Sequence, residues 1–210
     1  MSKEQNLEIQ ILQAAEELFL NKGFAGTSTT DIAKRVGCNQ ALVHYYFRTK
    51  ENLFLQVFMA KLDMILKTLQ QPLLKQDADF FDKLRNAISA YFDFLANDTR
   101  LPFFVINEML GNKDRLALVY EHFMRNTMRN NVFEMIDNVV QAEVRKGTIR
   151  NIDTVNFILD VVSLTVFNFI ALPIYSNVSG CTDDEKRRFL ELRKEEIITL
   201  AINGIKKVAN

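Results

Sequence analysis

The sequence predicts an all-α protein. Apolar residues recur three and four positions apart along almost the whole chain, the period of a helix face turned toward a core. Only three prolines and seven glycines punctuate 210 residues, too few to turn a chain through many hairpins. No two segments of alternating apolar and polar residues flank a turn signal as paired strands would. With 48% hydrophobic residues and a mean hydropathy near zero, a chain of this length can bury a sizeable core.

The elements follow in order. Leu7, Ile11, Ala14, Ala15, Leu18 and Phe19 form a first stripe that ends at Lys22-Gly23-Phe24. Gly23 suits the left-handed position after a helix, and Phe24 the apolar contact that accompanies it. Ser28 with Asp31 three residues later reads as a capping pair opening a short second helix, whose apolar face is Ile32, Ala33 and Val36. Gly37 ends it. Asn39 caps a third helix on which Val43 and Phe47 turn inward, leaving Gln40, Ala41, His44 and Tyr45 or Tyr46 outside. A long helix begins after Thr49, runs through Leu53, Val57, Phe58, Leu62 and Leu66, and stops near Pro72. Further helices are expected over Asp79–Ala96, Pro102–Leu110, Arg115–Lys146, Asp153–Tyr175 and Thr182–Val208. That makes about nine helices.

Composition narrows the function classes. Lys and Arg together number 26, as do Asp and Glu, so the net charge is zero. A protein that coats nucleic acid is usually basic overall, so any DNA binding has to be local. Cys38 and Cys181 lie far apart without metal spacing, which fits a reducing cytoplasm. The polar start MSKEQNLEIQ is no signal peptide, and Val161–Asn177 reads as too short and too polar for a membrane span. A cytoplasmic protein is expected. The two histidines, His44 and His122, start no metal-type spacing, and neither a phosphate-cradling glycine loop nor a nucleophile elbow occurs. No enzyme activity, metal or cofactor is expected.

Two short helices, a glycine-containing turn and an outward polar face on the second describe a helix-turn-helix. Such a second helix fits the major groove, where Gln40 can offer adenine both a donor and an acceptor. Ser28, Thr29 and Thr30 at a helix N-terminus favour a phosphate, and Tyr46, Arg48 and Lys50 can reach the backbone on the other side. The pattern alone reads equally as an ordinary helical corner with aromatics packed inward.

The run ILQAAEELFLNKGFAGTSTTDIAKRVGCNQALVHYYFRTKENLF resembles the DNA-binding domain of the TetR family of transcriptional regulators. The likeness rests on the AAxxLFxxKGFxxTST lead-in, on DIAxxxG, on HYYF and on KENL, in order and at fitting spacing. It implies a helix-turn-helix domain over residues 1–50 and a helical ligand-binding and dimerisation domain over residues 51–210. Asn39–Phe47 then corresponds to the base-reading helix, with Gln40 and Ala41 near base edges and Tyr45 on its outward side. Ser28, Thr29, Tyr46 and Lys50 correspond to phosphate contacts. Two positions depart from the family pattern. His44 stands where a DNA-contacting tyrosine is usual, which makes its contact pH-dependent. Leu42 replaces a small hydroxyl residue, so it either meets a thymine methyl or packs.

The larger part of the chain is rich in Phe and Met, which either fill a core or line a cavity for an apolar effector. The resemblance implies the second. The expected lining is Phe92, Phe104, Phe123, Phe133 and Phe167, with Asn107, Glu108, His122 and Asn168 as orienting polar groups. Val155–Tyr175 is apolar on nearly all sides, so a second chain is expected to cover part of it. The expected function is thus a ligand-responsive dimeric repressor on a palindromic double-stranded DNA operator, released by a small apolar effector. The other open reading is a helical small-molecule-binding or protein-interaction module that reads no specific DNA.

Overall fold

A computed structural model of the chain describes residues 3–75, 77–130 and 132–207, without the side chains of residues 3–4, 109 and 122–130. The expected all-α class holds, with ten helices among the described residues. They are α1 (Lys3–Lys22), α2 (Thr29–Val36), α3 (Gln40–Phe47), α4 (Lys50–Leu73), α5 (Phe80–Asn97), α6 (Arg100–Gly111), α7 (Lys113–Asn130), α8 (Val132–Lys146), α9 (Thr154–Ser179) and α10 (Asp183–Ile205). The expected helix Arg115–Lys146 is described as α7 and α8, with Asn131 between them outside the described residues. The longest overrun is in α9, which continues through Pro173 to Ser179. At 26 residues, α9 is long and apolar enough by length and composition to cross a membrane, which corrects the judgement that this segment is too short.

Compactness divides the chain into two units. The first contains Met1–Asp63 with Phe103–Arg125, the second Met64–Pro102 with Asn126–Asn210. In the first, Ile11, Ala15 and Phe19 of α1, Ile32 and Ala33 of α2, Val43 and Phe47 of α3, and Leu53, Phe54 and Phe58 of α4 are buried. Phe54 sits among the rings of Phe19, Phe24, Phe58 and Phe104, with centroids 5.2 to 5.8 Å away. Of the phenylalanines that the sequence leaves open between core and cavity, Phe104 is core here.

In the second unit, α5 buries Phe80, Leu84, Ala87, Ile88, Tyr91, Phe92 and Leu95. Val161, Thr165, Phe169 and Leu172 form the buried face of α9, with Phe92 and Phe169 5.1 Å apart. Thr182 and Glu185 close a capping box at the start of α10, which buries Ile197, Ile198, Ala201, Ile202 and Ile205. The opposite face of α9 is different. Val155, Leu159, Phe167, Ile174 and Val178 are exposed, four, seven or eight residues apart along one side of the helix. Leu192 and Leu200 of α10 are exposed too.

Candidate nucleic-acid interface

The α2–α3 corner is built by local chemistry that the sequence announces. Ser28 is extended (φ -109°, ψ 155°) and its Oγ accepts the Asp31 N–H at 3.1 Å. The Asp31 carboxylate accepts in return from the Ser28 N–H and hydroxyl at 3.3 and 2.6 Å. These bonds, the hydroxyl's first, hold the Asp31 carboxyl below its ordinary value. A depressed folded-state pKa means that this box stabilises α2 above the usual carboxylate range and is lost as pH falls through the folded pKa.

Gly37 closes α2 in the left-handed region (φ 77°), where a side chain would be strained. The Cys38 N–H then reaches the Ala33 carbonyl at 3.0 Å, a Schellman-type end that satisfies a free carbonyl. Asn39 follows at once as the cap of α3, its Oδ1 accepting the Ala41 N–H at 2.9 Å. Val43 and Phe47 are buried, which fixes the roll of α3 and turns Gln40, Ala41, Leu42, His44 and Tyr45 to solvent. Tyr46 is half-buried, its ring edge-on to Tyr45 at 5.3 Å.

A small polar network links α2 to the outer face of α3. The Thr30 hydroxyl donates to Gln40 Oε1 at 3.1 Å, and Gln40 Nε2 donates to Thr29 Oγ1 at 2.9 Å. His44 Nδ1 lies 3.2 Å from the Arg48 carbonyl, which can only accept, so Nδ1 carries the proton. His44 Nε2 is then free to accept from Gln40 Nε2, 3.4 Å away. Arg48 itself has φ 64°, the one left-handed non-glycine among the described residues. Its N–H still closes on the His44 carbonyl at 2.9 Å, and the Thr49 hydroxyl receives the Asn52 N–H at the start of α4. Ser28, Thr29, Thr30, Asn39, Gln40, Ala41, His44 and Tyr45 thus lie together on the corner, and Gln40 is held at both ends of its amide.

Lys50 reaches back to an earlier part of the chain. Its ammonium donates to the carbonyls of Phe24 and Thr27 at 3.0 and 2.9 Å and lies 4.0 Å from the centre of the Phe24 ring. It ties the start of α4 to the α1–α2 connection. Its sequence neighbours give no hint of this, because the acceptors lie more than twenty residues earlier.

The residues expected around an effector have mixed roles. Phe104 packs on Phe54 and Phe58, Asn107 is exposed, and Glu108 is buried in an ion pair with Arg115 at 2.9 Å. These three belong to the first unit. In the second, Phe92 is core, while Phe133 and Phe167 are exposed. The Asn168 amide donates to the Leu164 and Thr165 carbonyls, and its Oδ1 accepts from Arg193 Nε at 2.8 Å. His122 and Phe123 lie outside the described side chains.

Residues 11–57 match the family model for bacterial regulatory proteins of the tetR family. The chain is 31% identical over 91 residues to the transcriptional activator FasR of Mycolicibacterium smegmatis, spanning 43% of this chain and 41% of that one. It is 23% identical over 142 residues to the fatty acid metabolism regulator protein of Bacillus subtilis, 68% of this chain and 70% of that one. The crystal structure of the transcriptional regulator FadR from Bacillus subtilis in complex with stearoyl-CoA superposes with a TM-score of 0.71 at 19% identity, over 94% of this chain and 98% of that one.

Proposed function

We propose that the chain, whose residues 11–57 match the family model of tetR bacterial regulatory proteins, is a cytoplasmic, ligand-responsive repressor of that family that binds a palindromic operator as a homodimer. In this reading residues 1–50 bind DNA and residues 51–210 bind effector and partner chain. The carrying observation is the corner itself. Gln40 stands at the exposed first turn of α3 and Ser28 at the capped start of α2, the places for a base contact and a phosphate contact.

The dimer rests on the exposed apolar stripe of α9, continued by Leu192 and Leu200 of α10. A two-fold pairing of these helices covers apolar surface that water otherwise meets, and half-sites then fall about one helical turn or a multiple apart. For the effector we propose a long-chain acyl compound such as an acyl-CoA thioester. Support comes from the names of the fatty-acid regulator and of the stearoyl-CoA complex, together with the Phe- and Met-rich larger part of the chain. Such a molecule must favour the state that binds DNA poorly, since equal affinity for both states shifts nothing.

Selection of bound sequences from a random DNA pool at stated salt, without and with stearoyl-CoA, tests the reading. A palindromic consensus released by the thioester is the expected result. Gln40→Ala should then weaken binding by about 1–3 kcal/mol and relax choice at one or two base pairs. An unchanged consensus and affinity would remove α3 as the reader. Failure of the unsubstituted protein to select any sequence favours the binding module without DNA reading, which the balanced net charge also suits.

A further inference from the structure

Helix α1 ends in a way that leaves one backbone group unclaimed by the local chain. The Gly23 N–H closes on the Phe19 carbonyl at 2.9 Å with Gly23 at φ 69°. That is the simple left-handed helix end, in which the next N–H has no partner inside the helix. The next N–H belongs to Phe24, and the carboxylate of Glu108 on α6 accepts it at 2.9 Å across 84 residues of sequence. The other carboxylate oxygen accepts from Arg115 of α7 at 2.9 Å. Asn112 caps the start of α7 and receives the Arg115 N–H, which sets where that side chain departs.

The guanidinium of Arg115 lies 4.1 Å from the centre of the Phe24 ring, and the Lys50 ammonium lies 4.0 Å from it. Lys50 also holds the Phe24 and Thr27 carbonyls. Phe24 is therefore gripped at its N–H, its carbonyl and its ring by three charged side chains. Arg115 Nε is buried with no acceptor among the described residues. Leaving a buried donor unmet is unfavourable, so the guanidinium is placed by the ring and the carboxylate at the expense of its own full satisfaction. Room at the junction is limited as well. A Cβ on Gly23 would stand 3.3 Å from Glu108 Oε1, and one on Gly26 only 2.4 Å from the Lys22 carbonyl.

Four residues beyond Phe24 lies Ser28, the cap of α2, and the Thr27 hydroxyl between them donates to the Leu18 and Gly23 carbonyls. We propose that Glu108 and Arg115 are positioning residues for DNA binding. Without touching DNA, they seat the Phe24 backbone and ring and so fix where the α1–α2 connection presents the capped start of α2. The proposal rests on the DNA-binding reading above. It differs from it in placing two determinants of affinity on α6 and α7, outside residues 1–50.

The test combines amide exchange with DNA titration in the full-length protein, using the sequence selected by the unsubstituted chain. Glu108→Ala leaves Arg115 buried and unpaired and risks the fold, so Glu108→Ala with Arg115→Met is the main variant. It replaces both charged partners with apolar groups while leaving the Phe24 N–H unmet. Exchange at the Phe24 amide should accelerate at least about tenfold, with Val43 and Phe47 unchanged. DNA affinity should fall about fivefold or more on all sequences alike, with the slope against salt unaltered because no phosphate contact is lost. Glu108→Gln, which keeps an acceptor for Phe24, should recover part of both effects. Undiminished Phe24 protection in the double variant would overturn the proposal, and so would full DNA affinity in a folded variant whose Phe24 amide has opened. If the unsubstituted protein selects no DNA, the functional reading fails first and takes this proposal with it.

Discussion

Phe167→Glu combined with Leu159→Glu is expected to convert the protein to a monomer and to weaken operator binding by about 10²–10⁴-fold, the usual gain from joining two weak sites in one molecule. Both side chains lie on the exposed face of α9, Phe167 at 68% and Leu159 at 58% exposure. In a monomer the substitutions put carboxylates into water and cost little, since exposed positions tolerate change within about 0.5 kcal/mol. In a two-fold dimer through this face each carboxylate is buried against apolar surface, where unpaired charge is strongly disfavoured. Sedimentation velocity reads the first effect, and titration of a full operator against a single half-site the second. A dimer that survives both changes with operator affinity intact would place the interface elsewhere. A membrane role for α9 makes a different prediction. Its 26 residues suffice to span, yet Asp160, Ser163, Thr165 and Asn168 lie within it, and its buried face already packs in the second unit through Phe169 on Phe92. The double variant should therefore remain fully soluble.

The reading corner was legible in the sequence because its signals are local. Ser28 with Asp31, Gly37 and Asn39 each act within a few residues, so cap, stop and cap again can be read in order. Val43 and Phe47 fix the roll of α3 by their spacing alone. What stayed hidden is non-local. Nothing near Lys50 marks its acceptors as the carbonyls of Phe24 and Thr27, and nothing near Glu108 marks the Phe24 amide. Glu108 stood out only as a charge among apolar neighbours, which suits a ligand contact as well as a clamp. The Phe supply was ambiguous for a related reason. Helical spacing says that Phe58 and Phe104 face inward, but not whether the space they face is filled.

The last expected result concerns Phe54, the ring on which the first unit converges. Phe54→Ala should destabilise the protein by about 3–5 kcal/mol, the range for removing a fully buried aromatic side chain from a core that cannot collapse around the gap. Its exposure is 0%, and four other rings surround it with centroids 5.2 to 5.8 Å away. The Arg115 guanidinium stands 5.7 Å from its centre. Loss on this scale is a large part of the roughly 5–15 kcal/mol that holds a domain folded. Phe103→Ala, on the same helix as Phe104 but 58% exposed, should change stability by no more than about 0.5 kcal/mol. Chemical denaturation followed by circular dichroism measures both. The functional consequence runs through Phe24, which leans on Phe54 at 5.2 Å. With that support gone, the α1–α2 connection loses its floor, and operator binding should fail at temperatures where the second unit, with its own core along α5, α9 and α10, keeps its helical signal. A loss below about 1 kcal/mol would mean that neighbouring side chains refill the space, as cores able to relax do, and the ring cluster would then be filling without being the support of the DNA-binding corner.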